Sequence, residues 1–425
     1  MFPIMSFFVC FFSALIAKKL DKTIWNPLTL FCILWSTILL FSAQRGYGLD
    51  GVSDRTYFLI LLGITFFSLT YLISSYLFSR RRNVIDTNKK FSLNSKLIWI
   101  LIVLTTIYYC YYFLLIFSSV KTFSLWSVQQ YVRNTDPEMI VTNNFVRLFG
   151  SFAAGPVSTA LPIVVVSNLF SKKRDLKLFL ATIILIIIKM CSTASRSSLL
   201  FIFIYVIAAA CLHATEVNVL TRKFNINWKL ILLVLVGVIV FILLSLSRQM
   251  SIWKNFYLDF AIPPIMFERW SNNIDISNIY GYGTASLSGF CFPFLYIIQN
   301  IFGMNSLPFG FDNVYSFIDQ TVSEWIWVGN GIPANAYVSL FWFFYLDFRE
   351  IGIVLGSIIF SIYCAYTFER YMYNKNQRSL SMCLLMISCI SFSFVRMQFA
   401  LPNFALSFLL LNLFFVKTDS QNIKK

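Results

Sequence analysis

Residues 97–118 read LIWILIVLTTIYYCYYFLLIFS, an apolar run without a single charged side chain. At a rise of about 1.5 Å per residue, a helix of this length crosses the hydrocarbon core of a bilayer, which is about 30 Å thick. Similar runs recur along the whole chain of 425 residues, which is 58% hydrophobic and 12% charged, with a mean hydropathy of +0.73. A soluble domain of this length would need far more charge to cover its surface. The sequence therefore predicts an all-α polytopic membrane protein.

The same criterion, applied along the chain, predicts about 11 transmembrane helices, within a range of roughly 10–13, in one integral membrane domain covering 1–425. The predicted spans are 2–17, 25–43, 57–79, 97–118, 148–170, 176–194, 198–213, 229–247, 351–368, 380–395 and 399–416. Two other apolar stretches are short or interrupted. The stretch 285–302 predicts an interfacial or re-entrant helix, and 335–346 predicts a half-helix before the span that begins at Ile351.

The distribution of basic residues predicts the orientation of these spans. The chain has 34 Lys and Arg against 18 Asp and Glu, for a net charge of +16. Loops on one side of the predicted membrane carry 22 of the basic residues, and loops on the other side carry 11. Because basic loops stay in the cytoplasm, we expect the N-terminus outside and the C-terminus inside. Residues 249–350 then form one large outer segment, and no basic stripe remains for a nucleic acid.

Cysteine and histidine usage argues against a metal centre or a cofactor. The nine cysteines lie mostly within apolar runs and form no C-x-x-C pair, and His213 is the only histidine. His213 falls at the cytoplasmic end of its predicted span. The sequence therefore predicts no metal site, no disulfide framework and no bound cofactor.

Four of the basic residues that lie within predicted spans or at their outer ends are candidates for a functional role, because a charge there is costly. Lys189 is inside a span, and Arg196, Arg248 and Arg396 each stand at the outer end of one. A guanidinium makes bidentate, charge-assisted bonds with oxyanions, so these residues predict a diphosphate site. Interfacial anchoring is the alternative, because long basic side chains snorkel to the membrane surface.

Carboxylates of the outer segment are candidates for a general base. Glu268 and Asp347 have the least loop-like neighbours among them, whereas the others, Asp259 included, are predicted to be solvated loop charges. Asp347 could equally cap a helix or pair with Arg349. Aromatic residues are frequent in the same segment, and Trp270 is predicted to stack on a sugar ring, with an interfacial aromatic belt as the alternative.

Several short motifs are shared with a known family. The motifs are Trp25-Asn26-Pro27-Leu28, Ser195-Arg196-Ser197, Pro333-Ala334-Asn335-Ala336-Tyr337 and Tyr345-Leu346-Asp347-Phe348, with Gly352 after the last. With these motifs and its predicted topology, the chain resembles the oligosaccharide repeat-unit polymerases of bacterial surface polysaccharides, the O-antigen polymerase (Wzy) type. The family often has glycine after Asp-Phe, where this chain has Arg349.

The resemblance implies a GT-C-like architecture and a metal-independent glycosyltransferase of the bacterial plasma membrane. The implied substrate is an undecaprenyl-diphosphate-linked oligosaccharide, with Asn335 and Tyr337 of the shared motif among the substrate-binding residues. Membrane lipid, a flippase and a chain-length regulator are the other implied partners. Two alternatives stay open. A lipid-linked oligosaccharide flippase would also need cations on the outer side, and an O-antigen ligase would differ only in its acceptor.

Overall fold

The computed structural model describes residues 1–80, 90–120, 127–128, 131–132, 140–171, 174–193, 197–214 and 252–418. Among these residues, seven helices are long and apolar enough to cross a membrane, and four shorter apolar helices accompany them. Sheet structure in the same residues is confined to two short two-stranded ladders. The prediction of an all-α polytopic membrane protein is confirmed. The predicted span 229–247 lies outside the described residues.

The helices follow the predicted spans closely wherever both are defined. In chain order they are α1 (Phe2–Asp21), α2 (Pro27–Gln44), α3 (Asp54–Arg80), α4 (Ser95–Ser119), α5 (Asn144–Leu169), α6 (Leu176–Thr193), α7 (Ser197–Ala214), α8 (Ile252–Ala261), α9 (Pro263–Ser277), α10 (Ser288–Phe302), α11 (Phe311–Ser323), α12 (Ser339–Asn374), α13 (Gln377–Ser391) and α14 (Pro402–Leu413). The strands are β1 (Lys90–Leu93), β2 (Ile326–Trp327), β3 (Pro333–Ala334) and β4 (Phe415–Thr418).

Helix α1 illustrates how these helices suit a lipid environment. Its buried stripe is made of small residues at helical spacing, with Ser6, Cys10, Ser13 and Ala17 all facing the protein interior. In lipid, helices associate through close packing of small residues, because burying apolar side chains gains little there. The exposed residues of α1 are instead large and apolar, and include Phe7, Phe8, Phe11 and Phe12.

The chain forms two compact units. The first comprises Met1–Ile85, Arg248–Tyr373 and Met386–Leu401, and the second comprises Asp86–Ser247, Asn374–Leu385 and Pro402–Lys425. In the first unit, the rings of Phe31 and Phe67 stack with their centroids 4.0 Å apart, and Trp35 lies 4.7 Å from Phe341 by the same measure. A Cβ at Gly63 would clash with the Phe341 ring, so glycine is needed for this approach.

Helix α12 is broken near its start. Phe348 and Arg349 have non-helical dihedrals, with φ/ψ of −148°/31° and 53°/−136°, so residues 339–347 form a separate half-helix. The chain reverses at this break and brings Gly352 and Gly356 against Phe344. A Cβ at Gly352 would collide with the carbonyl oxygen of Phe344, and a Cβ at Gly356 would collide with the Phe344 ring. The sequence predicted a half-helix over 335–346, and the structure confirms it with a start at Ser339.

Contacts at one end of the first unit join loops that the sequence assigns to the same side of the membrane. The residues between α2 and α3 meet the segment 252–350: Asp50 N donates to Val328 O over 2.9 Å, and Gly46 N donates to Tyr257 Oη over 2.8 Å. At the opposite end, Ser75 Oγ lies 2.6 Å from Asp21 Oδ1 and 3.0 Å from Glu369 Oε1. We refer to the end that holds loop 45–53 as the outer end, following the predicted orientation.

The second unit contains α4 to α7, α14 and an antiparallel ladder in which β1 pairs with β4, from Lys90 opposite Thr418 to Leu93 opposite Phe415. Helix α5 contains a π-helical turn over Gly150–Ala154, directly before Pro156. Proline has no N–H to complete the regular helical ladder, and a π turn is one way to accommodate that loss. The side chains of Tyr108 and Asn403 pack against Gly150 and Gly155, at the two ends of this turn.

Candidate functional site

The candidate site lies where the half-helix begins, well below the outer end of the first unit. Trp35 Nε1 donates to Ser393 Oγ over 3.1 Å, so the turn after α13 lies level with the middle of α2. At about 1.5 Å per residue, this level is about 13 Å from the end of α2 at Gln44. The half-helix spans a similar distance, about 12 Å from Ser339 to Asp347. The half-helix therefore starts at depth and ends near the outer end.

The first turn of the half-helix is attached to the segment that carries Arg396. Ser339 N donates to Val395 O over 3.2 Å, and Leu340 N donates to Ser393 O over 2.7 Å. Ser339 and Arg396 also pair as a parallel bridge. The Ser339 hydroxyl is buried and has no hydrogen-bond partner among the described residues, which is costly for a hydroxyl away from water. A helix N-terminus, an unsatisfied hydroxyl and an arginine thus meet at one point.

Arg396 carries the uncompensated charge of this site. It is half-buried, and no carboxylate of the described residues pairs with its guanidinium. A charge at membrane depth normally has a partner, because moving an ion out of water costs on the order of several kcal/mol. The partial positive charge of the half-helix N-terminus adds to that of Arg396. An oxyanion is the ligand that such a point would stabilise.

A carboxylate and a phenol are attached to the chain next to Ser339 and Arg396 through a hydrogen bond and ring contacts. Tyr337 Oη donates to Asp259 Oδ1 over 2.9 Å, which joins α8 to the chain just before the half-helix. The ring of Phe394 lies 6.1 Å from Tyr337 and 5.1 Å from Phe260, centroid to centroid. Asp259, Tyr337, Ser339 and Arg396 are called the half-helix cluster below.

Asp347, a predicted general base, lies at the other end of the half-helix and serves as a latch. Its Oδ1 accepts from Gly283 N and Ala285 N, each over 2.9 Å, and its Oδ2 accepts from Ser286 N over 3.0 Å and from the Ser286 hydroxyl. Four donors engage both carboxylate oxygens, and the residue is only 3% exposed. All four hydrogen bonds come from the protein itself, and the base at Asp347 stays a prediction. The alternative of a capping role fits the geometry.

Arg349 and its neighbours hold the break at the outer end. Its guanidinium lies 4.3 Å from the Tyr280 ring centroid, donates to Ile274 O over 3.1 Å and approaches Asp275 within 3.5 Å. Arg55 joins the same group, because it pairs with Asp275 over 3.1 Å and donates to Tyr345 Oη over 2.7 Å. These contacts stabilise a backbone conformation, with φ of +53°, that is unfavourable for any residue with a Cβ. Glycine would adopt this conformation freely. That is a physical reason for the glycine that the repeat-unit polymerases often have at the position of Arg349.

The other predicted residues of the outer segment are placed differently. Glu268 Oε2 accepts from Ser53 N over 3.0 Å, so it contacts the start of α3 and not the half-helix cluster. Trp270 is 1% exposed and lies within the core, and its predicted contact with a sugar stays a prediction. The Asn335 amide donates to Val322 O and fixes the segment that leads into the half-helix.

Lys189 belongs to the second unit. Its ammonium donates to Ser158 Oγ over 2.9 Å and lies 5.8 Å from the Tyr109 ring centroid. No carboxylate of the described residues pairs with it, so it is a second uncompensated cation. Arg196 and Arg248, the other predicted diphosphate ligands, lie outside the described residues.

The structure thus brings together two predicted residues, Tyr337 and Arg396, and adds two that the sequence did not single out, Asp259 and Ser339. Asp259 was missed because a lone carboxylate in an amphipathic stretch resembles any solvated charge. Its aromatic neighbours, Tyr257 and Phe260, were the available signal. A guanidinium that binds an oxyanion, next to a carboxylate that accepts a proton, is suited to group transfer with an anionic leaving group.

A scan against protein-family models, a search of curated proteins and a search of solved structures each give no match to this chain.

Proposed function

We propose that this chain is a membrane glycosyltransferase that joins lipid-linked oligosaccharide repeat units into a surface polysaccharide. The observation that carries the proposal is Arg396, which has no carboxylate partner among the described residues and whose backbone pairs with Ser339 at the recessed start of a half-helix. Tyr337, two residues before Ser339, holds the Asp259 carboxylate. The motifs that resemble the repeat-unit polymerases support it, and with them a GT-C-like architecture at the outer face of the bacterial plasma membrane.

In the proposed reaction, a hydroxyl of one lipid-linked repeat attacks the anomeric carbon of a chain linked to undecaprenyl diphosphate. A new carbon–oxygen bond forms to the acceptor, and the bond between the anomeric carbon and the diphosphate oxygen breaks. The hydroxyl proton passes to a carboxylate, and undecaprenyl diphosphate leaves with the bonding electron pair. Asp259 is the proposed proton acceptor, because its carboxylate belongs to the half-helix cluster.

Arg396 has the complementary role. Negative charge grows on the bridging oxygen of the diphosphate as its bond to the sugar breaks, and a fixed cation there lowers the barrier. A guanidinium also sets the orientation of a diphosphate through two parallel bonds. The hydrogen bond from Tyr337 orients the Asp259 carboxylate, so that the base and the cation keep a fixed relation.

Deletion of the gene in its host separates this proposal from its alternatives. A strain without a polymerase should carry surface glycolipid with a single repeat, whereas a strain without a flippase or an O-antigen ligase should carry none. Gel electrophoresis of the surface polysaccharide makes this measurement directly. Wild-type chain length in the deletion strain would overturn the proposed function.

Complementation of that strain tests the cluster itself. Arg396→Lys and Asp259→Asn should both leave single-repeat glycolipid, because the lysine lacks the bidentate fork and the amide cannot accept the proton. Arg370→Lys is the matched control, since Arg370 donates to Tyr366 Oη near the opposite end of α12 and forms no ion pair among the described residues. Membrane levels of each variant are compared by immunoblot. If Arg396→Lys is present in the membrane at the wild-type level and still gives polysaccharide of wild-type length, Arg396 is not part of the site.

A further inference from the structure

Helix α10 carries an apolar stripe that leads away from the half-helix cluster. Phe290, Phe294, Ile297 and Ile301 are spaced by four, three and four residues and so lie on one helical face. The last three are 61%, 52% and 71% exposed among the described residues. At about 1.5 Å per residue, the stripe is about 16 Å long. The opposite side of α10 is occupied, because Phe292 stacks on Tyr315 of α11 with centroids 4.5 Å apart.

The stripe starts next to the segment that carries Arg396. The ring of Phe290 stacks on Phe399, with centroids 5.9 Å apart, three residues after Arg396 in the chain. Ser288 Oγ donates to Ala400 O over 2.9 Å, and a Cβ at Gly289 would collide with this segment. Helix α10 is therefore fixed against residues 398–401 at its first turn. The stripe continues from that anchoring point toward its exposed end.

The distribution of charge around the stripe suits an amphiphile, with its anionic end at Arg396 and its apolar end along the stripe. Arg396 lies three residues before Phe399, which contacts the first residue of the stripe, and between Ser271 and Phe348 the sequence contains no Lys or Arg. An ordinary phospholipid headgroup would therefore find no second basic contact along α10. A molecule with a diphosphate at one end and a long apolar chain would match the cation and the stripe together.

We propose that the α10 stripe binds the polyprenyl chain of the lipid diphosphate whose phosphates are bound at Arg396. This inference rests on the proposed function and adds the recognition of the carrier lipid to it. Because lipid tails and apolar side chains attract a prenyl chain about equally, the stripe contributes shape and direction, and Arg396 contributes most of the affinity.

Photocrosslinking of the full-length protein in vesicles tests this inference. The probe is a polyprenyl diphosphate with a diazirine in its chain, and the reference probe is a diazirine-labelled phosphatidylethanolamine. The labelled peptides are identified by mass spectrometry. The polyprenyl probe should label 287–302 more strongly than the phospholipid does. Arg396→Gln should reduce that labelling about tenfold or more, since a charge-assisted bond is lost, and leave the phospholipid labelling unchanged.

Matched substitutions define the surface. Ile297→Asn with Ile301→Asn should move the polyprenyl label away from α10, whereas Ile359→Asn, at a 68% exposed apolar position of α12, should not. Equal labelling of α10 by both probes, without effect of Arg396→Gln, would mean that the stripe contacts bulk lipid and would overturn the inference. Arg396-dependent labelling confined to other helices would also overturn it but leave the proposed function intact. No labelling above the phospholipid level anywhere would count against both.

Discussion

Replacing Asp347 by asparagine distinguishes a structural role, in which Asp347 binds residues 283–286, from a role as general base. The carboxylate accepts four hydrogen bonds from residues 283–286. The asparagine oxygen can keep the two from Gly283 and Ala285, but the amide nitrogen would then face the N–H of Ser286. The Ser286 hydroxyl can rotate and accept from the amide, so three hydrogen bonds remain without charge assistance, and the bond from Ser286 N is replaced by one donor facing another donor. Hydrogen bonds to charged groups contribute about 1.5–3 kcal/mol each, so we expect a loss of roughly 2–4 kcal/mol.

Such a loss is large against the stability of a folded protein, which is on the order of 5–15 kcal/mol. The assay is the thermal midpoint of the detergent-solubilised protein, followed by size-exclusion chromatography after heating. Asp347→Asn should lower the midpoint by about 2–4 °C. Polysaccharide chain length should fall together with the amount of folded protein. Asp319→Asn is the control, because Asp319 is an exposed aspartate on α11 that forms no ion pair among the described residues.

The refuting result is specific. If Asp347→Asn keeps the wild-type midpoint and the wild-type membrane level but yields only single-repeat glycolipid, Asp347 acts in the chemistry. The four hydrogen bonds would then be a feature of one state of the loop 283–286, and the base would have to be reassigned from Asp259 to Asp347.

Three further predictions follow from the described contacts. Arg349→Gly should be more stable than Arg349→Ala by about 1 kcal/mol, because both variants lose the ring and ion contacts but only glycine relieves the positive φ. Equal thermal midpoints for the two variants would contradict the claim that the backbone at residue 349 is strained. Trp270→Phe should lower the thermal midpoint, and the variant that remains folded should make polysaccharide of wild-type length. Short polysaccharide at an unchanged midpoint would instead support the predicted contact between Trp270 and a sugar. A reporter fused after Gly310 should be external and one fused after Arg82 cytoplasmic, and a cytoplasmic signal after Gly310 would reverse the assigned side of α10.

The helices themselves could be predicted from the sequence because lipid makes the rule simple. A run such as 97–118 must be helical to satisfy its backbone in hydrocarbon, and it appears as Ser95–Ser119. The half-helix was predictable for the same reason, since 335–346 is too short to cross and a charge follows it at Asp347. The start of α2 followed local rules as well: the Asn26 side chain accepts from Thr29 N over 2.8 Å, and Pro27 occupies the first turn.

The site was harder to predict, because its members are far apart in the chain and carry no local mark. Tyr337 and Asp259 are 78 residues apart, and only the tertiary fold joins them. Trp270 was predicted to stack on a sugar ring because aromatic residues are frequent in the outer segment, and its burial was not predicted. The helical period across 266–274 was the missed signal, since Met266, Trp270 and Ile274 are spaced by four residues and are all buried.

The way the half-helix is held bears on the choice between an enzyme and a carrier. A flippase must move its substrate-binding elements between two arrangements, whereas a transferase gains from a site that is fixed before the substrate arrives. The half-helix is fixed at three places: its first turn bonds to Ser393 and Val395, its middle packs on Gly352 without space for a side chain, and its last residue engages four donors. Freeing it would break all three sets of contacts together. Ser339 belongs to this segment and Arg396 pairs with it, so this part of the half-helix cluster is fixed before a substrate arrives, as the proposed transferase would require.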